Sequence, residues 1–124
     1  MLAVGEYALG SVDNQTLKIT TGFSGGIGNT HRDLCGALSA GVMIIGALHG
    51  RVRPNEDDAL CLKLATKYRD RFAQELGSIY CHELRAERYG SQGQEPCSVL
   101  VEQAARTLLA VLEGETNEAN NMRS

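Results

Sequence analysis

Between Leu60 and Leu76 the apolar side chains recur at three- and four-residue spacing: Leu60, Cys61, Leu64, Ala65, Tyr68, Phe72 and Leu76. Such a series lines one side of an α-helix and cannot line one face of a strand, where the period is two. The spacing predicts a long amphipathic helix that starts at Pro54-Asn55, carries Glu56, Asp57 and Asp58 in its first turn, and stops at Gly77. A helix with a stripe this long needs other helices to bury it. No segment of the chain sustains period-two alternation, and aromatic residues, common in strands, make up only 5%. The expected fold class is therefore all-α: a single compact bundle of about five or six helices, with a buried central helix after a glycine-rich loop.

The other helices follow from local signals. A short one is expected over Leu2 to Leu9, ending at Gly10. Asp13 or Asn14 caps a second, which would turn Leu17 and Ile19 toward the core and stop at Gly22. Thr30 reads as the N-cap of the central helix, with Asp33 in capping-box position, and the helix would run to about Leu48 with Gly50 behind it. Leu34, Leu38, Val42 and Ile45 give that helix one apolar stripe, and Gly36, Ala40, Ala47 and Gly50 give it a stripe of small residues. Ser78 would cap a shorter helix containing Cys81 and ending near Gly90. A loop is expected over Ser91 to Glu95, and Pro96 would open a last helix through Leu112. The expected organisation is one helical domain over residues 1–112, followed by a polar, frayed tail over 113–124.

Charge narrows the partners. A formal net charge of −3, with the arginines interleaved among acids, leaves no basic footprint for nucleic acid. The longest apolar run, Val42 to Leu48, is far shorter than the roughly 20 residues of a membrane-spanning helix. The N-terminus lacks a basic stretch leading into an apolar one, and a cytoplasmic location is expected.

Four cysteines in such a chain point to metal, catalytic or redox chemistry ahead of a disulfide framework. Cys35, Cys81 and Cys97 each fall near the start of an expected helix, where unpaired N–H groups favour thiolate over thiol. Cys61 shares its helix face with Leu64, Ala65, Tyr68 and Phe72 and reads as core packing. His31 and His82 stand beside the cysteine segments as potential ligands or bases that activate a thiol, whereas His49 complements the dipole at a helix end. Thiolates bind iron–sulfur clusters and zinc, and two thiols within bridging distance cycle between dithiol and disulfide. Spacing alone does not separate these chemistries. A fourth ligand for a cluster would have to come from His31, His82, water or a second subunit.

Cys35-Gly36-Ala37, the preceding Gly25-Gly26-Ile27-Gly28, the later Gly77-Ser78-Ile79-Tyr80-Cys81-His82-Glu83-Leu84 and Pro96-Cys97 occur in one order. That order resembles the small redox-active bacterial and archaeal proteins named for their C-GCAxxG-C-C cysteine pattern. The resemblance implies a helical protein with redox or metal chemistry at Cys35, Cys81 and Cys97, with an iron–sulfur cluster or zinc as candidate cofactors. Two departures stand out. Where the family motif reads Cys-Gly-Ala-x-x-Gly, Ala40 holds the final position and Gly41 follows. The family's further cysteine upstream of the glycine loop has no counterpart in residues 1–34, and by register would precede Met1.

Two other readings compete. The chain could be a helical interaction module that dimerises through its small-residue stripe, and a dimer is in any case the expected partner state, along with a redox partner protein. Alternatively Gly25, Gly26 and Gly28 could expose N–H groups to a phosphate or dinucleotide. No Lys-Ser or Lys-Thr follows Gly28 and no strand is expected before it, so neither a P-loop nor a dinucleotide fingerprint is present.

Overall fold

The computed structural model describes the backbone of residues 2–87 and 97–123, and within it the side chains of residues 4–86 and 98–114. Among the described residues six helices follow one another: α1 (Leu2–Leu9), α2 (Asn14–Thr21), α3 (Gly36–His49), α4 (Ala59–Leu76), α5 (Cys81–Glu87) and α6 (Cys97–Arg123). Among the described residues there is no strand, and one isolated antiparallel bridge joins Leu34 to Tyr80. The fold is an all-α bundle.

Helix α3 is its centre, touching α1, α4 and α6, while α4 also packs on α6. Leu38, Ile44 and Ile45 of α3 meet Leu64, Tyr68, Phe72 and Leu76 of α4 and Leu100, Ala104, Leu108 and Val111 of α6 in one buried cluster. Each fully buried large side chain in such a cluster contributes about 1.5–3 kcal/mol of transfer free energy. Tyr68 and Phe72 add an edge-to-face contact, with ring centroids 5.9 Å apart and planes at 78°. Cys61 lies half-buried against this cluster, as its helix face predicts.

Several boundaries differ from the sequence expectation, each for a local reason. The capping box at Thr30 does not form, because the Thr30 hydroxyl donates instead to the carbonyls of Gly26 and Ile27 at 2.8 and 2.9 Å. Helix α3 begins at Gly36, and Cys35 takes the N-cap position. Leu34 therefore lies before the helix, and Leu34 and Val42 are exposed rather than part of a buried stripe. The acidic run ahead of α4 is likewise outside the helix. Glu56 folds back so that its carboxylate accepts from Val52 N–H at 3.3 Å, the Asp57 carboxylate accepts from Ala59 N–H at 2.9 Å, and Asp58 stands at the N-cap without capping through its side chain.

Asp13 does cap α2, accepting from Thr16 N–H at 2.7 Å. Yet α2 buries no residue, and Ile19 points to solvent rather than to the core. At the other end of the chain, α6 continues past Leu112 to Arg123, so the backbone of the polar C-terminal segment is helical. The expected end of α5 near Gly90, the loop over Ser91 to Glu95 and the role of Pro96 lie outside the described residues. Among the described residues no helix is long and apolar enough to cross a membrane.

Candidate functional site

Cys35 and Cys81 are far apart in sequence and adjacent in the fold because of the single bridge. Cys35 N–H donates to the Ile79 carbonyl at 2.8 Å and Cys81 N–H donates to the Asp33 carbonyl at 3.0 Å. These two bonds flank Leu34 and Tyr80, which form the closely spaced, non-hydrogen-bonded pair of an antiparallel ladder. Side chains alternate along an extended backbone. Leu34 and Tyr80 accordingly face outward, 39% and 42% exposed, whereas Cys35 and Cys81 face inward at 8% each. Diagonal neighbours across such a bridge lie roughly 7–8 Å apart at Cα.

Each cysteine also stands at a helix start. Cys35 is the N-cap of α3 and its carbonyl accepts the first helical bond, from Ser39 N–H at 3.1 Å. Cys81 opens α5, where Ser78 fixes the approach: its hydroxyl accepts from Tyr80 N–H at 3.1 Å and donates to the Glu83 carboxylate. Cys97 is the first residue of α6, but its side chain is outside the described residues.

The glycine loop closes over this bridge in an unusual conformation. Gly25, Gly26, Ile27, Gly28 and Asn29 all have positive φ, between 59° and 71°, and His31 follows at 61°. Consecutive L-residues avoid this left-handed region because Cβ crowds the following carbonyl. The glycines make the turn possible, and Gly26 is where the loop meets the cysteines: a Cβ there would lie 2.8 Å from the Cβ of Cys81 and 3.1 Å from the Cα of His31. The loop holds itself with backbone bonds, among them Gly28 N–H to the Gly22 carbonyl at 2.8 Å, Asn29 N–H to the Ser24 carbonyl at 3.0 Å and His31 N–H to the Gly25 carbonyl at 2.8 Å. Ile27 N–H and Thr30 N–H are spent in the same way. These five N–H groups are engaged within the loop.

The two cysteines open onto a cavity of about 580 Å³ between the loop, α3, α5 and α6. Its walls are mostly apolar. His31 lies at its rim, with Nε2 3.1 Å from the Asn29 side-chain oxygen. His82 does not line it. That ring is exposed, stacks obliquely near Tyr80 with centroids 6.0 Å apart, and has Nε2 3.9 Å from the Glu83 carboxylate.

Tyr68, which sequence reasoning assigned to the core alone, also reaches this cavity. Its ring occupies the space a side chain at position 41 would need, since a Cβ on Gly41 would fall 2.4 Å from Cε2 of the tyrosine. The glycine displaced by one place from the family motif is thus the seat of Tyr68. The Tyr68 hydroxyl donates to the Ala37 carbonyl at 3.3 Å, within the first turn of α3. Burial first, and then the negative charge of a Cys35 thiolate, push the Tyr68 phenol well above its ordinary value. A neutral hydroxyl is therefore held in the electrostatic neighbourhood of the Cys35 sulfur.

Among the described residues no three His, Cys, Asp or Glu side chains converge in a way that would hold a metal ion. Two sulfurs and the His31 ring are fewer than the four ligands of an iron–sulfur cluster or a structural zinc ion, and the third expected thiol, Cys97, has its side chain outside the described residues.

Fold and site together define a class: an all-α protein with a buried cysteine pair, set at helix starts beneath a glycine loop. Residues 1–111 match the family described as "putative redox-active protein (C_GCAxxG_C_C)", and the chain belongs to that family. Neither a search of curated proteins nor one of solved structures found a match.

Proposed function

We propose that the protein carries out thiol-based redox chemistry, with Cys35 and Cys81 cycling between dithiol and disulfide. The observation that carries this reading is the Leu34–Tyr80 bridge, which turns both buried sulfurs to one side and into one cavity. Closing the disulfide requires the two Cα atoms to come within about 4.4–6.8 Å. From the roughly 7–8 Å of a bridge diagonal, that is a shift on the order of 1 Å, which the short helix α5 can absorb. Two S–H bonds break, one S–S bond forms, and two protons and two electrons leave with the oxidant.

Cys35 is the nucleophile in this scheme. Its N-cap position places it beside the first-turn N–H groups of α3. Cys97 serves as a third thiol, one helical turn before the cavity-lining residues Leu100 and Val101. The protein takes its electrons from, or passes them to, a partner outside the chain.

The test is an anaerobic titration of the full chain against mixtures of reduced and oxidised dithiothreitol, with the linked peptides identified by mass spectrometry. A single two-electron transition that joins Cys35 to Cys81, and disappears in Cys35→Ser and in Cys81→Ser, is expected. A chain that stays fully reduced across the range, or that forms a disulfide without Cys35, would overturn the reading.

A further inference from the structure

We infer that the cavity beside Cys35 and Cys81 is the binding site for an uncharged, ring-sized electron acceptor of the quinone class. The inference rests on the thiol-pair reading above and names the molecule with which that pair exchanges electrons. At about 580 Å³ the cavity falls within the 300–1,000 Å³ of typical small-molecule sites. Ala37, Ala40 and Ile44 of α3 face Leu100, Ala104 and Leu108 of α6 across it, giving two apolar walls with few bulky side chains. Polar groups gather toward the loop, where Ser24, Asn29 and His31 line the same space.

Charge decides the class of occupant. Arg85 is the only lysine or arginine among the described lining residues, and the loop N–H groups from Ile27 to His31 are taken by carbonyls of residues 22–27. With that one cation among the described lining residues, a nucleotide or flavin phosphate would give up its hydration for little in return. An uncharged ring loses little hydration and gains the apolar walls. Its two carbonyl oxygens would take over the hydrogens of the His31 ring and the Tyr68 hydroxyl, which otherwise engage the Asn29 side-chain oxygen and the Ala37 carbonyl.

The chemistry of the pair fits the same class. Oxidising two thiols to a disulfide releases two electrons and two protons, and a quinone takes up two of each to become a hydroquinone. The two S–H bonds break, the S–S bond forms, both protons end on the quinone oxygens, and no further reactant is consumed. In the opposite direction a hydroquinone returns the pair to the dithiol.

Duroquinone, whose ring carbons are all methylated and resist direct thiol addition, is the probe. It is titrated anaerobically into the ¹⁵N-labelled full chain, both reduced wild type and the Cys35→Ser/Cys81→Ser double variant, with amide shifts as the readout. Saturable shifts at Ile44, Ala104 and His31 in both proteins are expected, with one equivalent of hydroquinone formed by the wild type alone. Ala40→Leu, which fills the space, should weaken binding about tenfold, and Ala104→Leu provides a second filling variant should the first misfold. Absence of saturable shifts while the cysteine pair still titrates against dithiothreitol would overturn this inference and leave the thiol reading intact. Saturable shifts in a protein whose cysteines never pair would support the binding site and sink the thiol reading.

Discussion

The two sides of α3 are built on opposite principles. On one side Leu38 and Ile45 pack with Leu64, Phe72 and Val111, all but closed to solvent, with standard helix geometry. On the other, Gly36, Ala37, Ala40 and Gly41 face a left-handed loop, two inward-turned cysteines and unfilled volume. Large, mutually complementary side chains fill one side, while the cysteines lie where the chain accepts strain and void. The comparison teaches that α3 is a partition, with a packed bundle behind it and a cysteine-lined cavity in front. That division can be broken by mutation.

The largest effect should come from the packed side. Phe72→Ala leaves a cavity in the seam and should cost about 3–5 kcal/mol in chemical denaturation, with little specific effect on cysteine pairing. Loss of under 1 kcal/mol would mean that the seam is not the source of stability. On the chamber side Gly26→Ala should cost about 2–3 kcal/mol, since the added methyl meets Cys81 and the position has φ +71°. Unlike Phe72→Ala, it should also alter the rate at which Cys35 and Cys81 are alkylated; an unchanged alkylation rate would separate the loop from the thiols.

Ile27 tests the strain directly. A β-branched residue at φ 66° is costly, so Ile27→Gly should stabilise the protein by about 1 kcal/mol, against the usual destabilising effect of glycine. A lower melting temperature in that variant would show that the loop is not strained in solution.

Two titrations make smaller contributions. The Tyr68 phenol is raised in the folded state, so its contribution to stability is complete below the unfolded value near pH 10 and declines as the pH rises beyond it. Tyr68→Phe should flatten that alkaline decline, and an unaltered slope above pH 10 would contradict the placement. On the packed side, Glu75 is lowered chiefly by the Thr107 hydroxyl, which donates to its carboxylate at 2.5 Å, with Arg71 assisting. Its contribution is present above the usual glutamate value and is lost as the pH falls through the lower folded one. Thr107→Val should remove up to about 1 kcal/mol at neutral pH and less near pH 3. Equal losses at both pH values would show that the carboxylate is not involved.

Much of the packed side was legible in the sequence. The spacing of Leu64, Tyr68, Phe72 and Leu76 predicts α4 and its buried face, and the Cys61 packing follows from the same stripe. The chamber was legible only as a set of residues. Nothing periodic marks Leu34 and Tyr80 as partners, because a single bridge has no repeat to detect. Thr30 carries a sound capping signal, yet the left-handed loop takes its hydroxyl first, and the helix start moves to Cys35. Gly41 looks like one more small residue until the Tyr68 ring is seen against it. Helical propensity acts over neighbouring residues, whereas these contacts are made between segments that only the complete fold brings together.

The central claim, that Cys35 and Cys81 share one face of one bridge, is tested most directly by cross-linking the reduced native protein with dibromobimane, which fluoresces fully only after alkylating two neighbouring thiols. The account predicts a fluorescent product whose mapped peptides join Cys35 to Cys81, absent in either single serine variant and absent in denaturant. Separate alkylation of the two cysteines without a joined product, or a product that links Cys35 to Cys61 instead, would contradict it.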